Sequence, residues 1–144
     1  MASFTRQVED LRKVGPILEL TVGPTTTLAP EPGARQPSRH RPLPVVAMID
    51  TGASVTVIAP SVVRALGLRS MGAVLIHTPA ATRPIAMRQF PVSISFPSGV
   101  RLSPLRAVEA PLGDSQLGCL IGRDVLAAAV LVYDGRAGEF SLTF

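Results

Sequence analysis

Aromatic side chains are scarce in this sequence: its 144 residues include no Trp, one Tyr and five Phe. A platform that stacks the bases of a single-stranded nucleic acid needs more rings than that. Cysteine is reduced to Cys119, which excludes an internal disulfide and removes any demand for an oxidising compartment. Two His and one Cys, far apart in sequence, do not make a zinc ligand set, so no metal and no other cofactor is expected. Long apolar runs are missing as well. The most hydrophobic window, 44–63, is interrupted by Asp50, Gly52 and Pro60 and is a poor membrane span. Arg6, Glu9, Asp10, Arg12 and Lys13 crowd the start, so no secretory signal is visible. Cytoplasm is then the default compartment, although an anchor or signal outside this stretch would change that.

What is present points to strands. Hydrophobic residues make up 47% of the chain, enough for one real core in one domain, and 14 Pro with 12 Gly accompany little helical periodicity. The net charge is +4, carried almost entirely by Arg and spread along the chain. Arg35, Arg39 and Arg41 form the one local concentration, which reads as a solvated basic linker. A nucleic-acid module has no motif behind it, and no nucleic-acid partner is expected.

In chain order, Phe4, Val8 and Leu11 recur at helical spacing and suggest a short amphipathic helix within an N-terminal extension, residues 1–13. A single domain then spans 14–144. Ile17 to Val22 reads as a strand closed by Gly23-Pro24. Residues 23–44 carry six Pro and few large apolar groups, and are expected to be a flexible Pro/Arg-rich loop. Ala59 to Leu68 suggests a short helix opened by Pro60 and stopped by Gly67. Ala73–Ile76 and Ile85–Phe90 look like two strands around a turn. Val92–Phe96 alternates, which predicts one buried face. Val100–Leu105 and Ala107–Ala110 are further strand candidates, and Asp124–Ala129 a helical turn. Val130–Tyr133 pairs with Glu139–Phe144 across a turn at Asp134-Gly135-Arg136. The expected architecture is all-β, a closed barrel with one or two short helices.

The most informative stretch is Val45-Val46-Ala47-Met48-Ile49-Asp50-Thr51-Gly52-Ala53-Ser54. A buried apolar strand runs straight into a carboxylate, which is costly unless something requires it there. Asp50 closing an Asx-type turn onto backbone amides would be one such reason. Asp50-Thr51-Gly52-Ala53-Ser54 also resembles the active-site signature of aspartic proteases. A second match, Leu120-Ile121-Gly122-Arg123-Asp124-Val125-Leu126, looks like the segment after the second psi-loop of the retroviral-type enzymes, the retropepsins. The D-T-G triplet alone is a weak signal. The two signatures in this order, about 70 residues apart, are a strong one, and the likeness covers roughly residues 14 to 144.

The resemblance implies an aspartic endopeptidase of retropepsin fold. Its chemistry needs two facing carboxylates that share one proton. Beyond Asp10, the aspartates are Asp50, Asp114, Asp124 and Asp134, and only Asp50 precedes Thr-Gly. One chain therefore cannot hold the pair, and a two-fold homodimer giving one Asp50 per subunit follows from the count. By resemblance, Asp50, Thr51 and Gly52 are the catalytic triplet. Ala53, Val57 and Leu120 line apolar pockets, although Val57 and Leu120 could equally be core. His77, Ala80 and Ala81 belong to the flap that closes over an extended peptide. The flap tip Pro79-Ala80-Ala81-Thr82-Arg83 departs from the glycine-rich retroviral one. Ile121, Gly122, Arg123 and Asp124 support the site, with Asp124 a structural hydrogen-bonding residue. Retroviral enzymes often carry an acid at the position of Ser54, so the partner of Arg123 is open. The strand Gly138–Phe144 resembles the one that interleaves at the retroviral dimer interface; an intrachain edge strand is the other reading. The competing function is a catalytically inactive retropepsin-like module used for dimerisation or peptide binding.

Overall fold

The computed structural model describes residues 1–25, 41–113 and 116–144. Ten strands and three short helices follow in the order β1 (Ser3–Gln7), α1 (Leu11–Val14), β2 (Ile17–Pro24), β3 (Leu43–Ile49), β4 (Val57–Ile58), α2 (Pro60–Leu66), β5 (Ala73–Ile76), β6 (Ile85–Ser95), β7 (Arg101–Glu109), β8 (Cys119–Ile121), α3 (Arg123–Leu126), β9 (Val130–Asp134) and β10 (Glu139–Thr143). Six of the strands close on themselves. The order runs β2-β3-β8-β4-β7-β6, and β6 pairs back onto β2. Closure leaves these strands without a free edge. β5 extends the sheet from the outer half of β6. The predicted all-β barrel with few helices is the observed fold.

The core fills the barrel with alternating side chains. Leu18, Leu20 and Val22 of β2, Val45, Ala47 and Ile49 of β3, and Phe90, Val92 and Ile94 of β6 are all buried. Strand period two puts each set on one face. Val62, Val63 and Leu66 of α2 cap one side of this core. Pro60 occupies the first turn of that helix, where its missing N–H costs nothing. Gly67 ends it in the left-handed region at φ 57°, with its N–H donating to Arg64 O.

Several local expectations are corrected. β6 is a single 11-residue strand that carries both the hairpin with β5 and the barrel wall, with Pro91 inside it and a register shift between Val92 and Ile94. Its Val92–Phe96 stretch does not alternate in burial. Ser93 is buried with Val92 and Ile94 because β2 passes close by, and Ser93 Oγ donates to Pro24 O. β7 likewise unites the two strands expected at 100–105 and 107–110. β2 runs through Pro24 and β3 begins at Leu43, so strand claims both ends of the loop expected at 23–44. Residues 26–40 of that loop, including Arg35 and Arg39, lie outside the described residues, as does Asp114.

A separate three-stranded sheet, ordered β1-β10-β9, packs against one end of the barrel. Phe4 and Leu11 do not share a helix face: Phe4 sits in β1, and Leu11 opens α1. A short helix is marginal alone, whereas β10 offers residues 3–7 a full ladder of backbone partners. Four of the five Phe make the joint. Phe4 lies 6.5 Å from Phe96 and 6.3 Å, edge-on, from Phe140, while Phe96 and Phe144 are 4.9 Å apart. The β9–β10 turn depends on Gly138, left-handed at φ 69°, rather than on Gly135. Asp134 caps it by accepting the Arg136 and Ala137 N–H groups on Oδ1.

Candidate active site

The site is assembled by a parallel strand pair. β3 and β8 run side by side with Ala47 opposite Cys119, Met48 opposite Leu120 and Ile49 opposite Ile121. Both apolar strands end at the same level, so Asp50 and Gly122 emerge together. The Asp50 N–H donates to Ile121 O at 2.9 Å and prolongs the ladder by one step. The carboxylate then meets its own turn: Oδ1 accepts the Gly52 N–H at 2.9 Å, and Asp50 O accepts the Ala53 N–H at 3.2 Å. The Asx turn expected of a bland strand end is therefore present. It occupies one carboxylate oxygen only; Oδ2 takes no hydrogen bond within the described residues.

Gly52 acts by closeness rather than by a special backbone angle. Its φ is not in the left-handed region, but a Cβ there would lie 3.1 Å from Asp50 Oδ1. Gly122 is more tightly constrained. A Cβ on it would fall 2.5 Å from the Val55 carbonyl carbon and 2.6 Å from its oxygen. The two turns touch through backbone, and only a glycine permits it.

Arg123 and Asp124 tie the turns together through different partners. The Arg123 guanidinium donates from Nη1 to Thr51 O at 2.8 Å, and the Arg123 N–H donates to Ala53 O at 2.9 Å. Arg123 thus grips the backbone of the D-T-G turn, with no acidic residue at position 54 required. Asp124 accepts the Thr56 N–H on Oδ2 at 3.0 Å, and the Thr56 hydroxyl on Oδ1 at 2.8 Å. Thr56 Oγ1 in turn accepts the Gly122 N–H at 3.2 Å. Thr56 is fully buried, and it is a central residue that the sequence analysis passed over. The signal was a hydroxyl placed between Val55 and Val57 in an otherwise apolar run, which burial makes costly without a partner.

The other expected residues divide into two groups. Val57 lies directly opposite Leu120 across the β4–β8 pair, and both are half-buried, as is Ala53. Thr51 is exposed, and its hydroxyl takes part in no hydrogen bond within the described residues. His77, Ala80 and Ala81 sit on the β5–β6 connection, His77 and Ala80 exposed and Ala81 half-buried. They share no hydrogen bond with the Asp50 turn. That connection is folded by an Ala81 N–H bond to Thr78 O at 3.2 Å. Arg88 and Glu109 clamp the base of the hairpin, 2.6 Å apart at their closest.

Beneath the site, Cys119 is inert. Burial first, and the Asp124 charge second, push its thiol up to about 12. Among the described residues no three His, Cys, Asp or Glu side chains gather as a metal site. None of the described helices is long and apolar enough to cross a membrane.

A family model described as "Aspartyl protease" matches residues 40–125, more than half the chain and the whole of this site. The chain belongs to that family. No curated protein matches it. Among solved structures it is similar to the EIAV protease complexed with the inhibitor HBY-793, at 18% identity and a TM-score of 0.58, over 88% of this chain and 100% of the viral one. It is also similar to a retropepsin-like aspartic protease from Rickettsia conorii, at 15% identity and a TM-score of 0.55, over 97% of this chain and 89% of that one. At such identities the likeness establishes the fold: this aspartyl-protease family member has the retropepsin barrel.

Proposed function

We infer that the chain is an aspartic endopeptidase that works as a two-fold homodimer, with one Asp50 from each subunit. The observation that carries this reading is the Asp50 carboxylate itself. It stands half-buried at the end of a parallel strand pair, with one oxygen held by Gly52 and the other without a partner among the described residues. A second such carboxylate about 3 Å away would share a proton with it, because two like charges that close cannot both ionise. The ionised member takes a proton from a bound water, which attacks the scissile carbonyl. The protonated member donates to that carbonyl oxygen, and the proton later passes to the departing amide nitrogen. The pair titrates as one unit.

In this reading the unpartnered Thr51 hydroxyl bonds across the dimer, and the Gly52 carbonyl receives the extended substrate. Ala53, Val57 and Leu120 offer apolar contacts, and His77, Ala80 and Ala81 close over the peptide from the β5–β6 hairpin. Ile121, Gly122, Arg123 and Asp124 hold the turn rigid, which is what a pair set to sub-ångström tolerance requires.

The test is digestion of a denatured protein at acidic pH, with and without a transition-state-mimicking aspartic protease inhibitor. Inhibitor-sensitive cleavage that disappears in Asp50→Ala, with the circular dichroism unchanged, is the expected result. Cleavage by Asp50→Ala at the parent rate would overturn it. A folded dimer that binds peptides and cleaves none would instead be an inactive binding module.

A further inference from the structure

The arginines of this chain are spread evenly, but its acids are not. Between Asp50 and Glu109 there is no Asp or Glu, whereas Arg64, Arg69, Arg83, Arg88, Arg101 and Arg106 all fall there. All six are exposed. The stretch makes α2, the β5–β6 hairpin and β7, so the hairpin assigned to the substrate carries charge of one sign. Arg88 is neutralised by Glu109, 2.6 Å away at the closest. Among the described residues the other five form no ion pair. Two of them belong to the hairpin. Arg69 precedes a corner that backbone bonds fix to the hairpin base: the Met71 N–H donates to Gln89 O and the Gln89 N–H to Gly72 O, both at 2.8 Å, and Ser70 Oγ donates to Gly72 O at 2.9 Å. Gln89 lies opposite Val108, and Val108 opposite Val57. Two strand spacings, about 10 Å, therefore separate the anchor of that corner from a residue assigned to the substrate pocket. Arg83 stands at the other end of the hairpin, two residues before β6 begins at Ile85. Like charges left without counter-charges favour a partner that supplies them.

We propose that the substrates are acidic: extended protein segments with an apolar centre, whose flanking Asp and Glu side chains meet Arg69 and Arg83. The proposal rests on the endopeptidase reading and names the substrate class of that site. A peptide is favoured over a nucleic acid because no ring is offered to a base. Phe90 and Phe96, the two aromatic residues between Asp50 and Glu109, are both buried. What lies beside the cations instead is aliphatic: Leu75 is 69% exposed, Met71 49% and Ile85 43%. An extended peptide brings apolar side chains and carboxylates to one surface together, and so matches both features.

The probe is a matched pair of peptides with the same apolar centre, one flanked by Glu and the other by Gln. Binding is read by fluorescence anisotropy on Asp50→Asn, and kcat/KM on the parent. At about 0.1 M salt and about pH 6 the Glu peptide should be favoured by roughly three- to tenfold. The ratio should fall towards one in about 1 M salt, where the screening length drops from about 10 Å to about 3 Å. It should do the same below about pH 4, where Glu loses its charge. Arg69→Gln/Arg83→Gln should remove most of the preference and leave kcat/KM for the Gln peptide unchanged. Arg12→Gln, which takes a charge from α1 instead, should leave the preference intact. A ratio near one in the parent, or no binding of either peptide, overturns the proposal. So does an Arg12→Gln effect as large as that of the double variant, or tighter binding to oligo-dT or to phosphatidylserine vesicles than to the Glu peptide. Should the double variant fail to fold, a preference that survives high salt overturns it. A preference in binding without any cleavage supports the acidic ligand and defeats only the catalytic reading.

Discussion

Asp50 is worth mutating to Asn before Ala, because an amide keeps the Oδ1 acceptor that Gly52 uses and removes only the acidic group on which the proposed mechanism depends. The expected outcome is unchanged thermal stability and a kcat lowered by roughly 10²–10⁴-fold, measured on a chromogenic peptide. Gly122→Ala should behave in the opposite way. Its Cβ would collide with the Val55 backbone, so the fold should lose about 3 kcal/mol in urea titration, and the adjoining catalytic turn should lose activity with it. Thr56→Val keeps the shape and deletes the hydroxyl that links Asp124 to the Gly122 N–H. About 2 kcal/mol of stability should go, because a buried acceptor and a buried donor both lose a partner. Cys119 gives a pH prediction. Its thiol is raised from 9.0 to about 12 in the fold, so the folded state holds its proton longer than the unfolded one. The resulting stability is complete below about pH 9 and disappears as the pH climbs towards 12, at about 1.4 kcal/mol per unit. Urea titrations of the parent across that window should show a slope that Cys119→Ala lacks.

At the scale of elements, the pieces most legible in the sequence were those with punctuation. Pro60 and Gly67 bracketed α2, and Ile49-Asp50-Thr51-Gly52 marked where β3 stops. Gly67→Ala should cost about 1 kcal/mol, since it forces a Cβ into the left-handed region at φ 57°. What could not be read was continuity. The break expected between Phe90 and Val92 is absent because Pro91 sits where β6 tolerates it, and one strand serves both the β5–β6 hairpin and the barrel. Nor could local periodicity foresee β1. The helical spacing of Phe4, Val8 and Leu11 was real, but the backbone partner that outweighs it, β10, lies more than 130 residues away. The Phe4–Phe96–Phe140–Phe144 joint has the same character. Phe140→Ala should lower stability by about 3–5 kcal/mol.

For the whole molecule, the proposed homodimer has a consequence that no single-chain enzyme would show. Activity per unit mass should fall on dilution, following the monomer–dimer equilibrium, and should be restored by concentrating. Mixing equal amounts of parent and Asp50→Asn and allowing subunits to exchange should leave about a quarter of the activity of the same total mass of parent. In the proposed homodimer a mixed pair carries one carboxylate and should be dead. A value of one half would mean that each chain works alone.

The residues by themselves marked the family: one Asp-Thr-Gly and one Gly-Arg-Asp in that order, with the proposed homodimer argued from their number. Local sequence can do this because a catalytic turn is short and its side chains are irreplaceable. Only the tertiary structure decided what supports the turn and which edge is left open. Thr56 bridges Asp124 and Gly122, Arg123 holds a backbone carbonyl in place of an acid, and β10 is enclosed while β9 is bare. Those outcomes depend on strands distant in sequence competing for the same hydrogen-bonding edges, and such competition is settled only when the whole chain has closed.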